Sequence, residues 1–360
     1  MTEPKKRAIL VNVSEDKSGD EVLEELEQLA HTAGYECVAT LTQRKDKADK
    51  SYYIGKGKLA ELKELVDTLE AETVIFDNDV SGSQFYNLEN ALDIDVIDRA
   101  TVILEIFASR AVTNEGKMQV NLAQKKKLLP RAIGQGAVLS RQGGGGGGGG
   151  GARRGAGEQQ QELDKRVIRK DIQDLEKKIA KLSDERALRR EKRNRSAIKI
   201  VAIVGYTNAG KSTLMNVVTK AGVLEEDKLF ATLDPVSRKI WLDIGKEFLL
   251  VDTVGFISRL PHEFVSAFKS TLEEAKYADL ILHVADGSSE KMLQQYDVVC
   301  EVLDSLGVVD TPTILVINKS DKGEPECIPN VEHQITISAK KQIGIDALKD
   351  KISELLFPEN

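Results

Sequence analysis

The feature that most constrains this chain is a glycine-rich run that follows an apolar stretch in its second half. Residues 199–204 read KIVAIV, and residues 205–213 read GYTNAGKST, which fits the pattern G-x-x-x-x-G-K-[ST]. A buried strand that enters such a loop, followed by a helix that begins at Ser212, is the arrangement of a phosphate-binding loop. The alternative is a glycine-rich turn before an ordinary helix. The run therefore predicts an α/β fold with a nucleotide site.

Each residue of this loop has an expected role. The glycines allow successive backbone N–H groups to converge on a triphosphate, and the positive end of the helix dipole adds to the attraction. Lys211 is expected to reach the β- and γ-phosphates, and Ser212 to ligate Mg²⁺ through its hydroxyl. The predicted nucleotide-binding residues of this loop are Gly205, Tyr206, Thr207, Asn208, Ala209, Gly210, Lys211, Ser212 and Thr213.

Charge is distributed unevenly along the 360 residues, whose net charge is −7. Residues 1–115 hold 13 Lys and Arg against 24 Asp and Glu, whereas residues 117–199 hold 22 against 9. A strongly basic middle region in an acidic protein indicates a surface that meets a polyanion. The alternative is a solvated helix face that is rich in Lys and Arg.

The composition also argues against several classes of protein. The three cysteines are widely spaced and form no C-x-x-C pair, which argues against a disulfide framework and a zinc site. The N-terminal segment has no apolar core of a signal peptide, and no stretch approaches the length of a membrane span. We therefore expect a cytoplasmic, monomeric protein without a membrane span.

The first hundred residues alternate strand and helix patterns, which is typical of a small parallel sheet covered by helices. The turn at residues 53–58 (YIGKGK) could hold a phosphate, or it could be a plain connection from strand to helix. We predict an N-terminal α/β domain at residues 1–99, a helical hairpin at 100–196, and a doubly wound, mostly parallel nucleotide domain at 197–360.

The hairpin is predicted from two helical patterns, at residues 99–139 and 158–195. The second pattern has apolar residues at the spacing of a coiled-coil seam, which favours an antiparallel pair. Nine consecutive glycines at residues 143–151 lie between the helices, so we expect a flexible, non-helical tip at 140–157. The predicted RNA contacts at this tip are Arg141, Arg153 and Arg154. Alternatively, the glycine tract is only a linker.

The expected partners of a phosphate loop follow it in order. Phe230 and Thr232 lie in the segment DKLFATLDP, where the Thr232 hydroxyl could complete the Mg²⁺ sphere while the γ-phosphate is present. A strand at residues 248–251 leads into Asp252, which is expected to hold Mg²⁺ through water, and Gly255, whose N–H can meet the γ-phosphate. The predicted catalytic residues are Lys211, Thr232 and Gly255. Release of the two loops after hydrolysis is the expected conformational switch.

A base-recognition pattern comes next. The strand at residues 313–317 ends in NKSD, and the strand at 334–337 ends in SAK. The carboxylate of Asp321 can accept from N1–H and the 2-amino group of guanine, and adenine offers neither donor. A backbone N–H of the SAK segment can donate to the guanine oxygen. The predicted guanine-binding residues are Asn318, Lys319, Asp321, Ser338, Ala339 and Lys340.

These motifs, in this order and each at the end of a strand, resemble those of the translation-factor-related GTPases. Four sequence motifs of the chain are similar to those of the HflX-type GTPases, namely GYTNAGKST, DKLFATLDP, DTVGFI and NKSD. The similarity extends to VIDRATVILEIFASRA, QVNLAQKKKLLPR and LPHEFVSAFKSTLEEA. The resemblance implies a cytosolic GTPase that binds the large ribosomal subunit and its rRNA. Its hairpin tip would enter the peptidyl-transferase region and, as in some members, split stalled or stress-damaged ribosomes.

Four features depart from the family or qualify the mechanism. The family tip mixes Ile, Thr and Pro with glycine, whereas this tip does not, and the chain ends before the additional C-terminal domain of some members. Phe256 stands where Ras-like enzymes have a water-orienting Gln, so unassisted hydrolysis is expected to be slow. Asn208 could coordinate K⁺, as such an Asn does in related GTPases, or it could only brace the loop.

Other interpretations remain. A non-ribosomal GTPase switch would use the hairpin to dock a protein, and an RNA-modification GTPase would need a nucleophilic Cys or cofactor signature that we do not find. We interpret His262 as a residue at the start of a helix and Trp241 as a core residue.

Overall fold

The structure is a computed structural model that describes residues 5–15, 19–45, 47–142, 151–194, 198–219, 229–230, 236–243, 246–259, 274–308, 310–323, 325 and 327–358. Contacts divide the chain into two compact units. The first consists of Met1–Ser109 and Met118–Ile179, and the second of Arg110–Lys117 and Ala180–Asn360. The three domain boundaries expected from the sequence remain a prediction.

The first unit contains a four-stranded parallel sheet with the order β2-β1-β3-β4. Its strands are β1 Lys6–Ser14, β2 Tyr35–Arg44, β3 Thr73–Phe76 and β4 Asp95–Asp98. The first three connections are helices, namely α1 Gly19–Ala33, α2 Lys56–Leu69 and α3 Gly82–Leu92. Residues 8–13 of β1 and all four residues of β3 are buried, as expected where helices cover both faces of a parallel sheet. The predicted N-terminal α/β fold is confirmed.

Two helices replace the single helix that the sequence indicated from residue 99 onward. Helix α4 spans Arg99–Arg110, and helix α5 spans Asn114–Gln142. The break falls at Thr113, whose hydroxyl accepts from the backbone N–H of Gly116 at 2.9 Å and thereby caps α5.

Helix α6, Gly151–Asn194, runs antiparallel to α5. Within the first unit Lys125 pairs with Asp171 at 2.7 Å, and within the second Glu115 pairs with Arg186, so positions fall along α6 as they rise along α5. The predicted helix pair is confirmed. The expectation of a non-helical tip as far as Gly157 is wrong, because α6 already begins at Gly151. Ala and Arg, which favour helix, alternate there with the glycines.

The second unit contains a six-stranded sheet with the order β10-β9-β8-β5-β7-β6. Its strands are β5 Lys199–Gly205, β6 Val236–Asp243, β7 Lys246–Asp252, β8 Leu280–Asp286, β9 Thr313–Asn318 and β10 Gln334–Thr336. Only β6 runs antiparallel, against β7, so the sheet is mostly parallel as predicted. The longer helices here are α7 Lys211–Thr219, α8 Met292–Ser305 and α9 Ile345–Leu356.

The interpretation of Trp241 as a core residue is wrong. Its side chain is 68 % exposed on β6, the outermost strand, and the ammonium of Lys239 lies 5.4 Å from the centre of its ring. Hydropathy alone does not reveal that a strand lies at a sheet edge. None of the helices that the structure describes has the length and apolar character needed to cross a bilayer.

Candidate nucleotide-binding site

The phosphate loop lies between β5 and α7, at the carboxyl end of the sheet. A Cβ on Gly205 would lie 2.2 Å from the backbone oxygen of Val284 in β8. Gly210 has a φ of +91°, and a Cβ on it would lie 2.2 Å from Nδ2 of Asn318. Only glycine fits both positions. Helix α7 begins at Lys211, one residue before the expected start.

Lys211 is buried beneath this loop. Its ammonium donates to the backbone oxygen of Tyr206 at 2.7 Å, and the residue is 7 % exposed. Burial lowers the pKa of the ammonium to about 8, and the nearby Asp252 carboxylate opposes that shift. A phosphate bound over the loop would add a second negative charge beside this ammonium.

Two oxygen groups suited to a metal meet at the base of the loop. The Ser212 hydroxyl donates to Oδ2 of Asp252 at 3.1 Å. Hydroxyl and carboxylate oxygens are the donors that Mg²⁺ prefers, so these residues fit the ion. Ser212 and Asp252 would hold the ion, which would supply positive charge to the phosphates. The expected third ligand, Thr232, lies outside the described residues.

The segment after Asp252 is hydrogen-bonded along the phosphate loop. The N–H of Phe256 donates to the oxygen of Gly205 at 3.1 Å, and the N–H of Thr207 donates to the oxygen of Phe256 at 2.7 Å. This pairing places Gly255 against Lys211, because a Cβ on it would lie 2.9 Å from the lysine Nζ. The phenyl ring of Phe256 is 2 % exposed and has no group that could orient water.

Asn318, at the end of β9, joins the phosphate loop to the segment after β10. Its Nδ2 donates to the backbone oxygen of Ala209 at 2.9 Å, and its Oδ1 accepts from the N–H of Ala339 at 3.0 Å. The side chain is 2 % exposed, so both bonds are shielded from water. One amide therefore holds together the two loops that are predicted to bind phosphate and base.

The carboxylate of Asp321 lies at the exposed side of this junction. Its Oδ1 accepts from the Ser338 hydroxyl at 2.5 Å, and that hydroxyl accepts from the N–H of Lys341 at 3.1 Å. The bond from Ser338 lowers the pKa of Asp321, so the carboxylate is ionised near neutral pH. An ionised, oriented carboxylate at this place can accept two hydrogen bonds from guanine.

Family models match three successive stretches of the chain. They are described as GTP-binding GTPase N-terminal (residues 20–108), GTP-binding GTPase middle region (110–193) and 50S ribosome-binding GTPase (200–319). GTPase HflX of Caldanaerobacter subterraneus subsp. tengcongensis is 50 % identical over 356 residues, which cover 99 % of this chain and 82 % of the relative. GTPase HflX of Escherichia coli K12 is 39 % identical, with 98 % and 83 % covered.

The chain belongs to the HflX GTPase family. It is therefore a P-loop GTPase that binds GTP and GDP, in a family of 50S ribosome-binding GTPases. Among solved structures, a GTP-binding protein from Sulfolobus solfataricus in complex with GDP is 27 % identical, with a TM-score of 0.51 and 98 % of each chain covered.

Sequence reasoning about this GTPase missed Asp286, at the end of β8. Its Oδ2 lies 2.7 Å from the ammonium of Lys319, and its Oδ1 accepts from the N–H and hydroxyl of Ser288 at 3.0 and 2.7 Å. Lys319 has a φ of +66°. The sequence signal that could have identified Asp286 is its position at the end of a strand. Strands β8 and β9 are parallel neighbours, so their carboxyl ends meet at one edge of the sheet.

Most predicted site residues that the structure describes come together at this edge. Phe230 is described and is buried at 2 % exposure. Thr232 and His262 lie outside the described residues, as do the side chains of Arg141, Arg153 and Arg154. The residue roles expected at the site remain predictions.

Proposed function

We propose that this GTPase associates with the large ribosomal subunit in its GTP-bound form, dissociates stalled or stressed ribosomes, and is released after hydrolysis. The observation that carries the proposal is the basic helix pair directly ahead of the phosphate loop. Residues 117–199 hold 22 Lys and Arg against 9 Asp and Glu, in a chain of net charge −7. Such a surface favours binding to RNA phosphates.

The dimensions of the helix pair support this assignment. Helix α6 has 44 residues, a length of about 66 Å, and α5 has 29 residues, or about 43 Å. Lys127 pairs with Asp98 at 2.7 Å and Arg131 with Glu89 at 2.9 Å, which holds α5 against the N-terminal sheet. The part that could reach into a ribonucleoprotein particle is therefore the end of the helix pair beyond Arg131. We assign rRNA contact to Arg141, Arg153 and Arg154 at its end. The protein would act in the cytoplasm as a monomer.

In the proposed nucleotide site, Lys211 holds the β- and γ-phosphates, and Ser212, Thr232 and Asp252 hold Mg²⁺, the last through water. The buried position of the Lys211 ammonium supports its role, because a phosphate would compensate its lost hydration. Gly255 would meet the γ-phosphate through its N–H, which its position against Lys211 favours. The rest of the loop, including Thr213, would line the phosphates.

The proposed base site uses Asp321 to accept from guanine, with Ser338, Ala339 and Lys340 along the other edge of the ring. Lys319 would lie along the base, and Asn318 would connect the two halves. The ionised state of Asp321 and its bond to Ser338 support this arrangement. Phe230 would border the site.

Hydrolysis would be slow without the ribosome, because Phe256 cannot orient the attacking water. A K⁺ ion held by Asn208 is the second proposed source of help. The exposure of the Asn208 side chain in the phosphate loop supports this proposal, because an ion from solution could reach it. We expect large ribosomal subunits to raise kcat by about tenfold or more, a part of the effect that activating proteins have on related GTPases.

The decisive experiment is sedimentation of the full chain with large ribosomal subunits in the presence of a non-hydrolysable GTP analogue or GDP. We expect binding with the analogue and release with GDP, together with conversion of intact ribosomes to subunits on a sucrose gradient. Lys211→Ala is the control that lacks nucleotide binding. Absence of binding in both nucleotide states would refute the proposal, and binding without splitting would limit it to association.

A further inference from the structure

The N-terminal sheet carries a concentration of positive charge that the proposed function does not use. Residues 44–58, which we term the basic loop, hold six Lys and Arg against two Asp. The remainder of residues 1–115 holds seven Lys and Arg against 22 Asp and Glu. Nearly half of the cations of an acidic region therefore lie within 15 residues, between β2 and the first turn of α2.

Three of these six cationic side chains are exposed and make no ion pair or hydrogen bond within the part of the chain that the structure describes, namely Lys47, Lys50 and Lys56. In contrast, Lys58 pairs with Glu61 at 2.8 Å, and Arg44 donates to the backbone oxygen of Glu15 at 3.0 Å. Elsewhere in the same unit, Lys125 and Arg131 are paired with carboxylates at 2.7 and 2.9 Å. The three unpaired lysines remain available to attract an external anion.

The loop has a defined shape. The backbones of Asp49 and Tyr53 exchange hydrogen bonds of 2.8 and 3.1 Å, and Gln84 in α3 donates to the oxygen of Asp49 at 2.6 Å. Ile54 is completely buried beneath it. Lys50 and Lys56, next to these contacts, are therefore presented by an ordered backbone, which lowers the entropy lost on binding.

The carboxylate of Asp49 is turned back onto the loop. Its Oδ1 accepts from the N–H groups of Ser51 and Tyr52 at 2.8 and 3.1 Å, and those bonds, with Lys45 and Lys56 nearby, lower its pKa. It remains ionised, yet it offsets only one of the positive charges.

We propose that the basic loop is a second rRNA-binding surface, which contacts phosphates of the large ribosomal subunit. This inference rests on the proposed function. Five of the six cations are Lys, a compact charge that suits phosphate contact, whereas bidentate reading of bases favours Arg. A protein partner is disfavoured, because no large apolar side chain of residues 44–58 is exposed.

The test is the salt dependence of binding of the full chain, with the GTP analogue, to large subunits and to rRNA freed of protein. Each phosphate contact that is lost flattens the slope of log K against log salt by about 0.7 to 0.9. The triple variant Lys47→Ala, Lys50→Ala, Lys56→Ala should therefore flatten the slope by about 2 to 3 and bind about tenfold or more weakly. A matched triple variant removes the same charge elsewhere: Lys5→Ala, Lys63→Ala, Lys276→Ala.

Four outcomes separate the possibilities. A flatter slope in the loop variant, with the matched variant unchanged, supports the inference. Wild-type binding with an unchanged slope in the loop variant overturns it and leaves the proposed function intact. A third outcome is that the loop variant no longer binds subunits while the wild type shows no salt-dependent binding to free rRNA. That result assigns the basic loop to a contact with a ribosomal protein and also overturns the inference. No wild-type binding to subunits at all refutes the proposed function.

Discussion

The ion pair between Asp286 and Lys319 offers a test of how the base site is positioned. In Asp286→Asn, one side-chain oxygen can still accept from Ser288, but an amide that carries no charge now faces the lysine ammonium. Lys319 directly follows Asn318 and precedes Asp321 by two residues, so its displacement should disturb the proposed guanine-binding edge. We therefore expect the ion pair to affect binding by positioning Lys319, because Asp286 itself makes no proposed contact with the base.

The size of the effect follows from the exposure of the pair. Both side chains are 18 % exposed, and their charged atoms are 2.7 Å apart. A hydrogen bond between charged groups contributes about 1.5–3 kcal/mol, and partial exposure reduces this to about 1–2 kcal/mol. We therefore expect Asp286→Asn to weaken GDP binding by about 5- to 30-fold.

The assay is the dissociation rate of a fluorescent GDP by stopped flow, together with the melting temperature. The matched control is Asp279→Asn, just before β8, which removes an ion pair with Lys199 of 2.9 Å at the opposite end of the same strand. It should leave GDP affinity within about twofold. Lys319→Met completes a double-mutant cycle. GDP affinity within twofold of wild type in Asp286→Asn would refute the reasoning.

Three further predictions concern the rest of the molecule. In Gly255→Ala the new Cβ would lie 2.9 Å from Nζ of Lys211, so we expect single-turnover GTP hydrolysis to fall about tenfold or more while GDP affinity changes less. Because the pKa of Lys211 is lowered to about 8, phosphate binding should raise it, and this lysine should take up about half a proton at pH 8 but only about a tenth at pH 7, measured by calorimetry in buffers of different ionisation enthalpy. Arg99→Met removes a cation bonded to buried Asp77 at 2.9 Å and should lower the free energy of unfolding in urea by about 3–5 kcal/mol, against less than about 1 kcal/mol for Lys58→Met at a surface pair. Equal stability of the two variants would contradict the last prediction.

The strand-end motifs made the nucleotide site predictable from the sequence. Gly210, Lys211 and Asn318 belong to patterns whose spacing is dictated by phosphate and base geometry, so their convergence follows once the strands are parallel. Asp286 lacked such a pattern, because a single Asp at a strand end resembles any turn residue. Its role depends on a neighbour that is 33 residues away in the chain.

Other features depended on tertiary structure that local patterns do not contain. The break between α4 and α5 at Thr113 and the start of α6 at Gly151 depend on which of several competing hydrogen bonds the backbone forms. Helix propensity favours one of these but does not decide between them. Trp241 is exposed because its strand lies at the edge of the sheet. The order of the strands is decided by pairing between strands that are far apart in the chain.

The bonds of Asn318 have a consequence for selectivity and exchange. The buried Asn318 amide is hydrogen-bonded to Ala209 in the phosphate loop and to Ala339 in the segment after β10. A shift of one of these two segments therefore strains the bond to the other. A nucleotide with the wrong base should therefore lose affinity at its phosphates as well as at its ring. For the same reason, we expect the two halves of the pocket to open together when GDP leaves.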